Sequence, residues 1–133
     1  MADPSPLPAG SLRLLVAEDE PHIRRILDTI LDGAGFQVDM VADGEKALEA
    51  VRGDRPYALL ILDLVLPGAT GLEVLREVRR LPSRRHLPVV ILTAKGEDID
   101  RETAFTFGAD AFMTKPFSPR KLLKQIDELI AER

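Results

Sequence analysis

The sequence predicts one α/β domain in which a doubly wound parallel sheet is covered by helices on both faces. Strand-like and helix-like segments alternate five times after residue 11. The strand-like runs, such as Tyr57-Ala58-Leu59-Leu60-Ile61-Leu62 and Val89-Val90-Ile91-Leu92, are continuously apolar, as in strands buried on both faces. The joining loops are short, and in such folds the crossovers are almost always right-handed.

Each element has its own signal. Leu12 to Ala17 reads as the first strand. Pro21 suits a first helical turn, and Ile23, Ile26, Leu27, Ile30 and Leu31 recur at helical spacing until Gly33 and Gly35 end the helix. Phe36 to Val41 is a second strand. Asp43 caps a helix carrying Ala47, Leu48 and Val51, which stops near Gly53 and Pro56. Tyr57 to Leu62 is the third strand; Leu72, Val74, Leu75 and Val78 mark a third helix that stops by Pro82. Leu87 to Leu92 is the fourth strand. Glu97 to Phe107 is a helix stopped by Gly108, and Phe105 and Phe107 cannot both face the core from it. Ala111 to Thr114 is a short fifth strand, and Ser118 caps a last helix through Leu122, Leu123, Ile126, Leu129 and Ile130.

Composition narrows the function classes. The 133 residues fit one domain with a real core, assigned to residues 11–133, and 45% apolar with 30% charged residues is ordinary for a globular chain. A net charge of −4 argues against wholesale attraction to nucleic acid or to an anionic membrane. The absence of cysteine excludes disulfides, thiolate catalysis and zinc–sulfur sites. Residues 1–10, with prolines at positions 4, 6 and 8, lack the basic start and apolar core of a secretory signal and read as an extended, poorly ordered tail. No run approaches the roughly 20 apolar residues of a membrane span. The chain reads as cytoplasmic.

In open sheets of this kind ligands bind outside the strand C-termini, at the switch in strand order. Four of the five strand ends carry compatible chemistry: Glu18-Asp19, Asp63, Thr93 and Lys115. Crowded carboxylates repel one another, and a bound cation relieves them; oxygen ligands without His or Cys favour Mg2+. A carboxylate can attack a phosphoryl group and carry it as an aspartyl phosphate, with metal, Lys and Thr meeting the phosphoryl charge. On this reading Asp63 is the nucleophile, Glu18 and Asp19 are metal-site acids, and Lys115 and Thr93 are phosphoryl contacts. Asp43 is a cap.

These residues resemble the receiver domain of two-component response regulators. The resemblance runs from Leu12 to the C-terminus. It rests on Val16-Ala17-Glu18-Asp19-Glu20, Asp63-Leu64-Val65-Leu66-Pro67-Gly68 with Gly71-Leu72-Glu73-Val74-Leu75, Leu92-Thr93-Ala94-Lys95, and Gly108-Ala109-Asp110-Ala111-Phe112-Met113-Thr114-Lys115-Pro116-Phe117. It implies a flavodoxin-like (βα)5 fold with strand order 2-1-3-4-5 and phosphorylation of Asp63 by a histidine kinase or a histidine phosphotransfer protein. Mg2+ would be held by Asp19, Asp63 and the Val65 carbonyl, with Glu18 acting through water. Thr93, Ala94 and Lys115 would contact the phosphoryl group, Thr93 and Phe112 would act as the switch, and Lys115-Pro116 would be cis. The response would rebias the face formed by the fourth helix, fifth strand and fifth helix. It would act on an effector protein or an output domain missing from this chain, and the protein would be a monomer or a phosphorylation-linked dimer.

The chain departs from the family pattern at Glu18, where Asp is commoner, at Val65, at Thr70, often Asp, and at Phe112, often Tyr, which cannot make a hydroxyl hydrogen bond. A small Mg2+-dependent aspartyl-phosphate phosphatase or phosphotransferase is the alternative. Such haloacid-dehalogenase-like enzymes need a second Asp where Val65 stands and usually a cap domain. A nucleotide-binding domain lacks its Gly-rich strand-to-helix loop here. Arg76, Arg79, Arg80, Arg84, Arg85 and His86 suggest DNA less than a solvated cluster complementing a helix C-terminus, so no direct nucleic-acid or membrane binding is expected. His22 reads as a surface residue. A native start followed by a proline-rich tail suits an intact N-terminus, while the chain is either a stand-alone regulator or part of a longer one.

Overall fold

The computed structural model of the protein describes residues 12–94 and 98–132. The tail over residues 1–10, the domain boundary at residue 11, Lys95 and Glu97 lie outside the described residues. Ten elements alternate strictly: β1 (Arg13–Ala17), α1 (Pro21–Gly33), β2 (Gln37–Val41), α2 (Gly44–Arg52), β3 (Leu59–Leu62), α3 (Gly71–Arg80), β4 (Val89–Ala94), α4 (Asp98–Thr106), β5 (Ala111–Lys115) and α5 (Pro119–Ala131). All strand pairs are parallel, in the order β2-β1-β3-β4-β5. The doubly wound fold and the strand order are those expected from the sequence. Element ends differ by one or two residues.

The continuous apolar strands have a simple cause. Successive side chains point to opposite faces, and each face has its own core. Leu15, Ala17, Leu60, Leu62, Val89 and Ile91 pack with Ala47, Leu48 and Val51 of α2, Val74, Leu75 and Val78 of α3, and Ala104 of α4. Leu14, Val16, Leu59, Ile61, Val90 and Leu92 pack instead with Leu27 and Leu31 of α1 and Leu122, Ile126 and Leu129 of α5.

Local signals set the helix ends. Pro21 opens α1, and Gly35 turns the chain out of it with φ of +94°, a left-handed conformation that glycine adopts without steric cost. Asp43 accepts from the Lys46 N–H at 2.8 Å, and Ser118 accepts from the Lys121 N–H at 3.2 Å. Thr70 and Glu73 form a reciprocal capping box at the start of α3. Among the described residues no helix is long and apolar enough to cross a membrane.

In the basic cluster at the end of α3, Arg76, Arg80, Arg85 and His86 are exposed as expected, but Arg79 and Arg84 are not solvated. Arg84 is only 6% exposed. Its guanidinium donates to the carbonyls of Val51 (3.0 Å), Gly53 (3.0 Å) and Arg55 (2.8 Å) and lies 5.2 Å from the Tyr57 ring centroid. Arg79 donates to the carbonyls of Gly108, Leu87 and Arg85 and to Asp110. The reason is geometric: carbonyls at the end of α2 and around β4 and β5 lack partners, and long forked donors reach them. Phe105 and Phe107 also differ from expectation, since both are exposed, at 40% and 36%. Ala104 takes the core position, and the guanidiniums of Arg101 and Arg76 lie 5.5 and 5.7 Å from the Phe105 and Phe107 ring centroids.

Polar links also join the strand starts. Asp39 accepts from Arg13 (2.7 Å), the Tyr57 hydroxyl (2.7 Å) and Arg55 (3.2 Å). Burial and the hydrogen bond to Asp39 push the Tyr57 hydroxyl up to about 12. Glu77 bridges Arg80 and Arg52, whose hydrogen bonds hold its carboxyl down at about 2.

Two outcomes follow from these contacts. Arg84→Ala strands several carbonyls at about 1–3 kcal/mol per buried group, so equilibrium urea unfolding should show a loss of at least about 2 kcal/mol. Glu77 has a depressed folded pKa, so its contribution is complete above its ordinary value of 4.5 and disappears as pH falls toward 2. Melting curves of Glu77→Gln against wild type should therefore differ above that window and converge at its acid end.

Candidate functional site

Parallel pairing places the ends of β1, β3, β4 and β5 along one edge of the sheet. The ladder continues past the strands, with the Glu18 N–H donating to the Val41 carbonyl (3.0 Å) and the Asp63 N–H to the Ala17 carbonyl (3.1 Å). These bonds lock the backbone from which both acids project. Glu18 is 2% exposed and Asp63 4%, while Asp19 is exposed. One carboxylate oxygen from each of Glu18, Asp19 and Asp63 lies within 4.8 Å of the others.

Each acid has defined partners. Thr93 Oγ1 donates to Asp63 Oδ1 at 2.8 Å, and the Val65 N–H donates to the same oxygen at 3.0 Å. Lys115 Nζ donates to Asp63 Oδ2 at 2.8 Å and lies 2.7 Å from Glu18 Oε1. Glu18 Oε2 accepts from the Glu20 N–H at 3.0 Å, and Arg24 donates to the Glu18 carbonyl at 2.9 Å.

Burial pushes the Glu18 carboxyl above its ordinary range, against the pull of Lys115 and the Glu20 N–H. Burial works against the Lys115 ammonium as well, but its hydrogen bonds to Asp63 and Glu18 prevail and its pKa is raised. One ammonium thus bridges two buried acids, with a third acid beside them. An oxygen-only donor set of this charge fits a small hard cation such as Mg2+.

The structure therefore gathers Glu18, Asp19, Asp63, Thr93, Lys115 and the Val65 backbone. The Val65 side chain is 67% exposed, so the residue after next from Asp63 offers its main chain and no acid. Ala94 ends β4 in register with Lys115, and Lys115-Pro116 is cis. Phe112 stands apart in β5, half-buried, with its ring centroid 6.4 Å from that of Phe105 and 5.5 Å from the Arg101 guanidinium. His22 is exposed. Sequence reasoning missed Arg24; nothing in residue type or spacing marks an arginine that reaches back six positions to a main-chain carbonyl.

A protein domain of this fold, with acids, hydroxyl and ammonium at strand ends, falls in a well-populated class. The response regulator receiver domain model matches residues 14–127, and the chain belongs to that family. It is 36% identical over 118 residues to the transcriptional regulatory protein ResD of Bacillus subtilis, covering 89% of this chain and 48% of that protein. It is 40% identical over 114 residues to the phosphate regulon transcriptional regulatory protein PhoB of Escherichia coli, covering 86% of this chain and 49% of that protein. The chain thus spans about half the length of these curated relatives. Among solved structures, a putative response regulator from Chloroflexus aurantiacus matches with a TM-score of 0.85 at 33% identity, covering 90% of this chain and 98% of that one. The receiver domain of the sensor histidine kinase PA1611 from Pseudomonas aeruginosa, with magnesium coordinated in its active-site cleft, matches with a TM-score of 0.83 at 29% identity. That match covers 90% of this chain and 98% of the other.

Removing the ammonium should expose the repulsion it offsets. Lys115→Met is expected to lose roughly 2–4 kcal/mol in metal-free buffer, the range for breaking a partly buried charged contact. Thermal melts with and without millimolar Mg2+ should show a larger metal-dependent rise for the variant than for wild type.

Proposed function

We propose that Asp63 is the phosphoacceptor of a two-component signalling switch, with Glu18 and Asp19 in its metal site. The observation that carries this reading is the single carboxylate that meets Thr93, Lys115 and the Val65 N–H while sharing a pocket with two further acids. An Asp63 oxygen attacks the phosphorus of a phosphohistidine on a histidine kinase or phosphotransfer protein, or of a small acyl phosphate. A P–O bond forms to Asp63, the bond to the donor breaks, and the donor leaves with the electron pair. Mg2+, held by Asp19, Asp63 and the Val65 carbonyl with Glu18 acting through water, would neutralise phosphoryl oxygen charge. Lys115, Thr93 and the Ala94 backbone meet the remaining oxygens. Thr93 holds Asp63 in place before transfer, and Lys115 keeps the acid pair together.

The domain promotes its own phosphorylation and dephosphorylation and turns over no external metabolite. Phosphorylation replaces the single charge of the Asp63 carboxylate with a phosphoryl group carrying about −1.5 to −2 beside Thr93 and Lys115. Their rearrangement, with Phe112, rebiases the α4–β5–α5 face toward an effector protein or an output domain. The resulting shift in partner affinity is of the usual allosteric size, about 1–3 kcal/mol. An aspartyl-phosphate phosphatase is disfavoured because exposed Val65 stands where its general acid would be.

Incubation with Mg2+ and acetyl phosphate, followed by intact-mass measurement, should add a single phosphoryl group to wild type and none to Asp63→Asn. Equal uptake by the two chains refutes the assignment.

A further inference from the structure

We infer that Gly44, in the first turn of α2, is a positioning residue for the loop that links Asp63 to α3, so the metal site depends on a seam between that loop and α2. This rests on Asp63 as acceptor and on Val65, in the same loop, as a metal contact. Gly44 is buried, and its N–H donates to the Pro67 carbonyl at 2.9 Å. A Cβ at Gly44 would overlap the Ala69 carbonyl oxygen and lie 2.9 Å from Ala69 Cα. These are backbone atoms, which no side-chain rotation can move aside.

The far end of the same loop is equally tight. Gly71 donates its N–H to the Leu64 carbonyl at 3.0 Å, and a Cβ there would overlap the Asp63 carbonyl oxygen and lie 2.6 Å from Leu64 Cα. Between them Gly68 turns with φ of +76° beside Glu45 of α2. Leu64, Leu66 and Ala69 are buried, so the loop has little free space to relax into. It is clamped by missing side chains. The Asp63 side chain and the Val65 N–H that bonds it at 3.0 Å sit at the start of this clamped segment. Displacing the segment alters where Val65 presents its backbone relative to Glu18 and Asp19.

The test separates positioning from stability. Mg2+ affinity is measured by isothermal titration calorimetry on the wild-type 133-residue chain, Gly44→Ala and two controls, each under conditions where melting curves show it folded. Val51→Ala opens a cavity at the other end of α2 and lowers the melting temperature without adding an atom against the loop backbone. Gly33→Ala makes the same chemical change in a helix where a Cβ meets nothing within 4 Å. Gly44→Ala should weaken Mg2+ binding at least tenfold, while both controls bind as wild type does. Should Gly44→Ala fail to fold, Gly68→Ala perturbs the same seam by another route, through the strain of a side chain at φ of +76° and a Cβ 3.1 Å from the flexible Glu45 Cγ; a loss of at least twofold is expected. Wild-type affinity in the folded Gly44→Ala chain, or in its Gly68→Ala replacement, overturns the inference and leaves Asp63 as acceptor untouched. Absence of Mg2+ binding by wild type itself overturns both.

Discussion

Two carboxylates almost stripped of water, Glu18 and Asp63, are kept side by side by one ammonium, and the rest of the site is arranged around that contact. The arrangement carries excess negative charge. Glu18, Asp19 and Asp63 contribute three negative charges against one positive charge from Lys115, a net of −2. Such crowding stands only if the backbone cannot yield, because like charges would otherwise separate into solvent. The parallel ladder supplies that rigidity. Glu18 and Asp63 each extend a strand by one more main-chain hydrogen bond, to Val41 and Ala17, before the chain turns away.

The opposite edge of the sheet solves a different problem. Around the strand starts, Arg13 and Tyr57 converge on Asp39, Arg79 on Gly108 and Asp110, and Arg84 on the end of α2. Donors and acceptors there are matched, and among the described residues no buried side-chain polar atom lacks a partner. One end of the sheet is electrostatically saturated and the other is left acidic. A protein can retain a frustrated site where the surrounding structure is locally consistent, and here the two regimes are about a strand length apart.

The fold was legible because its signals are local or periodic. Continuous apolar runs report strands covered on two faces, and Pro21, Asp43, Gly35 and Ser118 punctuate the helices by their own stereochemistry. The site was legible as a coincidence of strand ends, since parallel pairing alone brings residues after β1, β3, β4 and β5 to one edge. What escaped depends on contacts distant in sequence. Arg79 and Arg84 look like surface charge at the end of a helix until the unpaired carbonyls of α2 and of the β4 and β5 region are brought within reach. One of Phe105 and Phe107 was expected to be buried, yet both are exposed and Ala104 takes the core position, because the helix ends at Thr106 and Phe107 no longer follows its periodicity. The tightness at Gly44 and Gly71 has no sequence signature beyond glycine itself, since what forbids a side chain is another segment's backbone.

Hydrogen-bond capacity explains why chemistry at Asp63 would be felt beyond the carboxylate. Thr93 has one O–H, and it is committed to Asp63 Oδ1. Lys115 has three N–H donors, and among the described residues Glu18 and Asp63 engage two of them, which leaves one for an incoming oxygen. Conversion of the Asp63 carboxylate to an acyl phosphate would remove a charged acceptor there and create stronger ones on the phosphoryl group. Thr93 cannot serve both and must re-aim its only donor, whereas Lys115 can add a partner without releasing Glu18. On the proposed phosphorylation of Asp63 the two residues would have unequal roles: Lys115 could accommodate the new charge in place, and Thr93 would have to move. Thr93 lies in β4 beside β5, in register with Thr114, two positions beyond the Ile91–Phe112 pair. Movement at that point of the sheet would act on β5 first, through the β4–β5 pairing, so under the proposed function the hydroxyl would be the more sensitive link between the carboxylate and that face.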